Sequence, residues 1–340
     1  MSTVEPVLSV KDLVVEFDTF GGKVQAVRGV SYDVHAGETL AVVGESGSGK
    51  SVTVQALMGL IPMPPGRIVR GSAKLLGNEL IGLSQAGLNR VRGADMGMIF
   101  QDPMTSLNPT MRVGDQIAET LIVHRGMTRA AAMAEAVRLL ERTRIPEAAQ
   151  RVRQYPFEFS GGMLQRVMIS MSLACTPKLL IADEPTTALD VTIQDQVLEL
   201  MKELQREDQM AIVLITHDLG VVARMADRVA VMYAGEVVEY GTVDDIFYNA
   251  SHPYTQGLKL AMPDSHDHGD ETLNAIPGSP PDLFAPPPGC AYHPRCPRAM
   301  RICSRVDPQP AVISEGHSAS CWLQHEGAPT TELAESEHAG

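Results

Sequence analysis

Eight consecutive residues constrain this chain more than any others. Gly44-Glu-Ser-Gly-Ser-Gly-Lys50-Ser51 fits the pattern G-x-x-x-x-G-K-[ST] in full. Its glycines let a loop fold back so that successive backbone N–H groups face an anion, at the positive end of the helix that follows. Lys50 places a cation on the β- and γ-phosphates of a nucleotide, and the Ser51 hydroxyl can ligate Mg²⁺. Such a loop needs a buried strand before it and a helix after it. Thr39-Leu-Ala-Val-Val43 is a short apolar run suited to burial on both faces, and Val52–Leu60 reads as an apolar helix. The nucleotide-contact candidates are therefore Gly44, Glu45, Ser46, Gly47, Ser48, Gly49, Lys50, Ser51 and Val52.

Two further apolar runs, Leu179-Leu-Ile-Ala182 and Ala211-Ile-Val-Leu-Ile215, alternate with helical patterns at 161–175 and 191–207. Strands alternating with helices predict a parallel sheet in an α/β core. Residues 7–17 and 24–34 read instead as strands of a half-buried antiparallel sheet, joined through Gly21-Gly22. Strand patterns vanish between about 105 and 158. There Ala132, Ala136, Leu139 and Leu140 recur at helical spacing, which predicts a helical subdomain over about 105–170.

Composition changes near residue 250. Residues 251–340 hold 13 of the 23 prolines, a single Phe (Phe284), the sole Trp (Trp322) and four of the five cysteines. The expected division is an ATPase domain over 1–250, a loop-rich extension over 251–326 and a polar, mobile tail over 327–340. So little aliphatic content predicts that the extension has a weak core of its own. The chain of 340 residues carries 41 Asp plus Glu against 28 Lys plus Arg, a net charge of −13. That balance argues against a nucleic-acid binder, because neutralising phosphates needs a basic surface. No apolar run approaches the ~18–20 residues needed to cross a bilayer. The opening residues lack the pattern of a signal peptide, so a soluble, cytosolic chain is expected.

Leu179-Leu-Ile-Ala-Asp183-Glu184-Pro185 complements the phosphate loop. An apolar strand delivers Asp183 towards the metal, and the adjacent Glu184 can take the proton from attacking water. Between the two elements, Phe159-Ser160-Gly161-Gly162-Met163-Leu-Gln165-Arg166 resembles the signature sequence of ATP-binding cassette (ABC) ATPases. The usual Leu-Ser-Gly-Gly-Gln is altered by Phe and Met, outside the Ser-Gly-Gly that meets phosphate. The resemblance extends over about 8–250 and implies further roles. Gln101, in Met98-Ile-Phe-Gln-Asp-Pro, matches the glutamine loop, a Mg²⁺ contact that reports nucleotide state. Ala188-Leu189-Asp190 matches the loop at the dimer interface, and His217 the switch histidine that reaches the γ-phosphate. Ser160, Gly161, Gly162 and Gln165 are implied to meet ATP held by a second subunit. An aromatic after the first strand stacks on adenine in this family; Phe17 has the better position and Phe20 is the rival.

Ser251-His-Pro-Tyr254-Thr-Gln-Gly-Leu258 resembles the segment that begins the C-terminal extension in ATP-binding subunits of dipeptide and oligopeptide importers, a branch that includes nickel importers. The extension carries Cys290, Cys296, Cys303 and Cys321, spaced C-x5-C-x6-C-x17-C. That spacing alone leaves zinc, a 4Fe–4S cluster and free thiols open. The resemblance implies a 4Fe–4S cluster, with zinc as the alternative. His293 and His317 lie near it in sequence and read as flanking or surface groups. Cys175 shares a predicted helical face with Leu164, Met168 and Met171 and reads as a buried thiol.

Together these features imply an ATPase that uses ATP and Mg²⁺ and is peripheral to the cytoplasmic face of a membrane. Its implied partners are a second, related ATPase subunit, two permease subunits and, indirectly, an extracytoplasmic solute-binding protein. The implied cargo is a short peptide, with nickel or another small solute as the alternative.

Overall fold

The computed structural model describes residues 5–187, 189–261 and 276–328. Ala188 and most of the tail expected to be mobile, from residue 329 on, lie outside them. Twelve strands form two sheets among the described residues: β1 (Leu8–Thr19), β2 (Gly22–Val34), β3 (Thr39–Val43), β4 (Gly66–Leu75), β5 (Asn78–Glu79), β6 (Met96–Ile99), β7 (Leu179–Asp183), β8 (Ala211–Thr216), β9 (Arg228–Tyr233), β10 (Glu236–Thr242), β11 (Ala311–Ser314) and β12 (His317–Ala319). The smaller sheet is antiparallel, in the order β2-β1-β4-β5; the larger runs β11-β12-β10-β9-β3-β8-β7-β6.

The apolar runs of β3, β7 and β8 are continuous because both faces of the sheet are covered. Leu179, Ile181, Val213 and Ile215 face a core shared with the small sheet and with Val54 and Leu57 of helix Lys50–Leu57. The alternate residues Leu180, Ala182, Ile212 and Leu214 pack on Val197, Leu200, Met201 and Leu204 of helix Val191–Asp208. The expected α/β core with an antiparallel sheet is therefore present. Strands β3, β8, β7 and β6 are parallel and in register: Val43 faces Thr216, Ile215 faces Asp183 and Ala182 faces Ile99. Their carboxyl ends form one rim, where open α/β sheets bind ligands.

Between β6 and β7 the chain is helical, with Val113–Arg125, Arg129–Arg142 and Gly161–Ser172 as its longest members. Thr128 caps the second of these by accepting from the Ala131 N–H, and Ala132, Ala136, Leu139 and Leu140 are buried in the bundle core as their spacing predicts. Cys175 is buried in that core, yet it lies beyond the end of helix Gly161–Ser172 rather than on its face.

The segment after 250 contributes few buried apolar residues, Tyr254, Ala291 and Tyr292, to a core supplied mainly by the ATPase, an anchorage its composition did not reveal. Helix Pro253–Leu260 brings Tyr254 against Tyr233 of β9, and Tyr292 closes the group, with ring centroids 4.6 Å, 5.2 Å and 5.4 Å apart. The β11–β12 hairpin extends the main sheet by pairing with β10 at Glu239 and Tyr240. The buried Glu239 carboxylate accepts from His317 Nε2 at 2.9 Å and from the backbone N–H groups of Ser251 at 2.6 Å and His252 at 3.0 Å. His317, expected near the cysteines or at the surface, is thus an internal joint of the sheet.

Candidate nucleotide site

The rim carries the candidate residues. Gly44 follows β3 with φ 151° and Gly49 precedes the helix with φ 98°. A Cβ on Gly44 would lie 2.1 Å from the Met232 carbonyl oxygen, and one on Gly49 would lie 2.3 Å from that of Ala26. The loop therefore takes this path only with glycine at both ends. Lys50 is buried and curls back, donating to the carbonyl oxygens of Gly44 at 2.7 Å and Glu45 at 2.9 Å. Burial lowers its pKa, while the carboxylates of Glu184, Asp183 and Glu45 pull the other way.

Strand β7 ends with Asp183 beside Ser51, whose hydroxyl donates to Asp183 Oδ1 at 3.1 Å. Burial raises the Asp183 pKa and the Glu184 charge adds to it, against the Ser51 hydrogen bond and the Lys50 ammonium. The next residue, Glu184, adopts φ 48°, an uncommon conformation for a side-chain-bearing residue and one found at functional sites. Three side chains converge on its carboxylate. Gln101 Nε2 and Thr187 Oγ1 each donate to Oε2 at 3.0 Å, and His217 Nδ1 lies 3.2 Å from Oε1. Gln101 arrives from the end of β6 and His217 from the end of β8. The structure thus gathers all three at one carboxylate, and Thr187 is a member the sequence reading did not find.

Lys50, Ser51, Gln101, Glu184, Thr187 and His217 line a cavity of about 820 Å³ together with Ser46, Gly47, Ser48, Gly49 and Val52. Its apolar lining is formed by Phe17, Val24, Ala26 and Leu283. Phe17 pairs across the strands with Val24, whereas Phe20 projects fully into solvent from the β1–β2 turn. The geometry therefore brings Phe17 to the pocket and leaves Phe20 outside.

Ser160, Gly161 and Gly162 open helix Gly161–Ser172 at a separate surface hollow of about 470 Å³. Asp190 lines the same hollow and caps helix Val191–Asp208 by accepting from the Ile193 N–H at 3.0 Å. No residue lines both this hollow and the phosphate-loop cavity. Gln165 faces inward instead: its amide is buried and donates to the Pro185 carbonyl at 2.6 Å, tying the helix to the turn after Glu184.

The extension also reaches the phosphate loop. The Glu45 N–H donates to Tyr254 Oη at 2.9 Å, and Arg295 grips the Glu45 carboxylate through both terminal nitrogens at 2.7 Å and 3.0 Å. Beyond the quoted His-Pro-Tyr254 segment, no local sequence pattern announced these contacts.

The four extension cysteines are free thiols gathered in one neighbourhood. The Cys290 N–H donates to the Cys303 carbonyl at 2.9 Å. Burial, with the other cysteines adding to it, pushes the pKa of Cys290 up to about 12 and that of Cys321 to about 11. Among the described residues, however, no group of three or more His, Cys, Asp or Glu side chains is placed to hold a metal ion. The arrangement therefore does not support the 4Fe–4S cluster or the zinc expected at Cys290, Cys296, Cys303 and Cys321. Shared burial with Tyr233 and Tyr254 removes the reason to require one, since the extension does not stand on its own core. His293 turns its Nδ1 to the Cys290 carbonyl at 2.9 Å.

A glycine-bounded phosphate loop, an acidic strand end and a second Ser-Gly-Gly helix start on an α/β sheet with an antiparallel subdomain define an ABC-type ATPase. Residues 27–187 match the family described as ABC transporter, and residues 238–303 match the oligopeptide/dipeptide transporter C-terminal region. The chain is 57% identical to the oligopeptide transport ATP-binding protein OppD of Bacillus subtilis, covering 98% of this chain and 94% of that protein. It is 54% identical to the dipeptide transport ATP-binding protein DppD of the same organism, covering 95% and 96%. Among solved structures, the ADP- and phosphate-bound dimer of the ATP-binding cassette MJ0796 matches with a TM-score of 0.62 and 26% identity, over 69% of this chain and 98% of that one. The chain belongs to the family of ATP-binding proteins of oligopeptide and dipeptide ABC transporters.

Proposed function

We propose that this chain is the ATP-hydrolysing subunit that powers import of oligopeptides or dipeptides through a membrane permease. One observation carries the reading: a phosphate loop, acidic pair and switch histidine occupy one rim, and an extension of the peptide-transporter type is built into the same sheet. The relatives named for oligopeptides and dipeptides, similar along nearly their whole length, favour peptide over nickel as cargo.

The roles follow from placement. Backbone N–H groups of the loop and the Lys50 ammonium hold the phosphates, Lys50 exchanging its loop carbonyls for phosphate oxygens. Phe17 stacks on the adenine. The Ser51 hydroxyl and Asp183 carboxylate form an oxygen pair that would hold Mg²⁺, with Gln101 completing its surroundings, and the ion would supply positive charge against the β- and γ-phosphates. Glu184 accepts the proton of the attacking water, its carboxylate aimed by Gln101, Thr187 and His217, and ADP and phosphate are released. His217 positions the γ-phosphate and the water. Ser160, Gly161 and Gly162 cap the γ-phosphate of ATP held by a second subunit, and Asp190 lies at that interface. Gln165 serves the same function indirectly, by holding the signature helix against the acidic turn.

The second subunit is a related ATPase, and the pair sits on two permease subunits that receive peptide from a solute-binding protein. No helix among the described residues is long and apolar enough to cross a membrane, in keeping with a peripheral place on the cytoplasmic face. The same reading assigns Cys290, Cys296, Cys303 and Cys321 to a 4Fe–4S cluster. The thiols lie near one another but would have to turn towards a common centre to hold it, and iron, sulfide and zinc analysis after anaerobic purification tests it. The function as a whole is tested by reconstituting the chain with its permease and partner ATPase in vesicles. ATP-dependent uptake of a labelled short peptide is expected, and uptake of nickel with no peptide transport would refute the cargo.

A further inference from the structure

The apolar lining of the nucleotide cavity contains one residue that does not belong to the ATPase core. Leu283 comes from the extension, far along the chain from Phe17, Val24 and Ala26, yet it lines the same cavity. Its place is fixed on both sides. The Leu283 carbonyl accepts from the Gln25 N–H at 2.9 Å. Because β2 is the outer strand of the small sheet, that edge N–H is available to the extension. On the other side, Leu283 packs against the core built around Tyr233, Tyr254 and Tyr292. Phe284, the next residue, lays its ring over the β1–β2 turn, 3.5 Å from where a Cβ on Gly21 would stand. Further back, Pro277 is held by Arg295 Nε, which donates to its carbonyl at 2.9 Å.

Phe17 and Val24 are a cross-strand pair, and Ala26, at the irregularity of the β1–β2 pairing, lines the same cavity. Together they present an apolar floor. Leu283 adds an apolar wall from a different part of the chain, held beside Gln25, the neighbour of Val24. A flat heteroaromatic ring fits such a corner, because its faces are apolar while its edge can stay hydrated.

We propose that Leu283 is a nucleotide-binding residue that contacts the base of ATP, so that the C-terminal extension completes the base end of the site. This rests on the ATPase reading and adds the extension to its binding machinery.

Equilibrium binding to the full-length chain tests it, using ATP and, separately, inorganic tripolyphosphate. Leu283→Ala removes the wall and keeps the backbone contact with Gln25. ATP binding should weaken roughly tenfold, tripolyphosphate binding should stay unchanged, and Leu283→Met should restore most of the loss. Unchanged ATP affinity, or parallel loss of both ligands, would overturn the proposal. Lys50→Ala must weaken both ligands; if the unmodified chain bound neither, the ATPase reading would fall first. A second measurement needs no variant. Light-driven labelling of the native chain with 8-azido-ATP should mark the peptide containing Leu283, and labelling confined to β1 and β2 would refute the contact.

Discussion

Replacing Arg295 with Ala should loosen the phosphate loop from a distance. The guanidinium is 5% exposed and holds the Glu45 carboxylate, 26% exposed, through two short bonds. It also donates to the carbonyl of Pro277 and lies 5.8 Å from the centre of the Tyr233 ring. Removing one member of a buried, doubly bonded pair costs about 3–5 kcal/mol, mostly because the remaining charge is stranded. Water reaches Glu45 in part, so the cost should fall at the low end, about 3 kcal/mol. Trp322 offers the readout: it is the only tryptophan, it sits in the extension, and its Nε1–H donates to the Val306 carbonyl at 2.8 Å. Urea unfolding followed by its fluorescence should be compared for Arg295→Ala, Glu45→Gln and the double variant. The double should cost clearly less than the two singles added together, because once Arg295 is gone the carboxylate has no partner to lose. ATP affinity should drop in Arg295→Ala as well, since Glu45 also anchors the loop through its N–H to Tyr254. Additivity within about 0.5 kcal/mol would refute the coupling.

Two other substitutions probe separate parts of the molecule. Glu184→Gln should keep ATP binding and reduce turnover of the assembled complex by ~10²–10⁴-fold, because the amide cannot accept the proton; ordinary turnover would remove Glu184 from its role. His252 is fully buried beside Tyr292 and the Glu239 carboxylate, and burial lowers its pKa from 6.5 to about 3. Between those values only the unfolded chain binds the proton. Stability is therefore complete above about pH 6.5 and declines as pH falls, by about 2 kcal/mol at pH 5. His252→Asn retains a side-chain acceptor for the Tyr254 N–H and should flatten the decline. An unchanged slope in Trp322-monitored unfolding at pH 7.5 and 5.0 would exclude His252 as its source.

The catalytic rim was legible because its signals are local. An apolar pentapeptide, three glycines and a lysine specify a strand, a loop and a helix within twenty residues, and Asp183 and Glu184 end a strand whose continuous hydrophobicity already demands a central position. Other elements gave weaker signals. Strand β6 has only four residues, one of them a glycine, and follows a polar stretch, so nothing in its own pattern marks the strand that delivers Gln101. Phe17 and Phe20 separate only once the ends of β1 and β2 are known, because the turn decides which ring stays on the pleat. The extension was hardest to read. Its strands have four and three residues, its prolines suggest loop, and the Glu45–Arg295 pair spans 250 residues of sequence. The cysteines were undecided by their own pattern, since C-x5-C-x6-C-x17-C left zinc, a 4Fe–4S cluster and free thiols open, and no spacing shows the burial with the tyrosines that holds the extension in place.

The two surfaces to which the proposed function assigns nucleotide contacts would divide the work in a way that kinetics can resolve. Among the described residues, the extension reaches the half carrying the phosphate loop through Leu283, Tyr254 and Arg295. The Ser160–Gly162 hollow lies elsewhere and shares no lining residue with it. Contacts made by the extension are therefore present before a second subunit closes and need not change during hydrolysis. Such uniform contacts lower the free energy of bound ATP and of the transition state alike, so they act on KM and leave kcat alone. Groups that meet the γ-phosphate only on closure act on kcat. In the assembled complex, Leu283→Ala and Arg295→Ala should each raise KM for ATP roughly tenfold with kcat nearly unchanged. Ser160→Arg, which fills the hollow, should lower kcat and leave ATP binding by the isolated subunit intact. A fall in kcat from the two extension variants, with KM unchanged, would mean that the extension takes part in closure itself and would contradict this division.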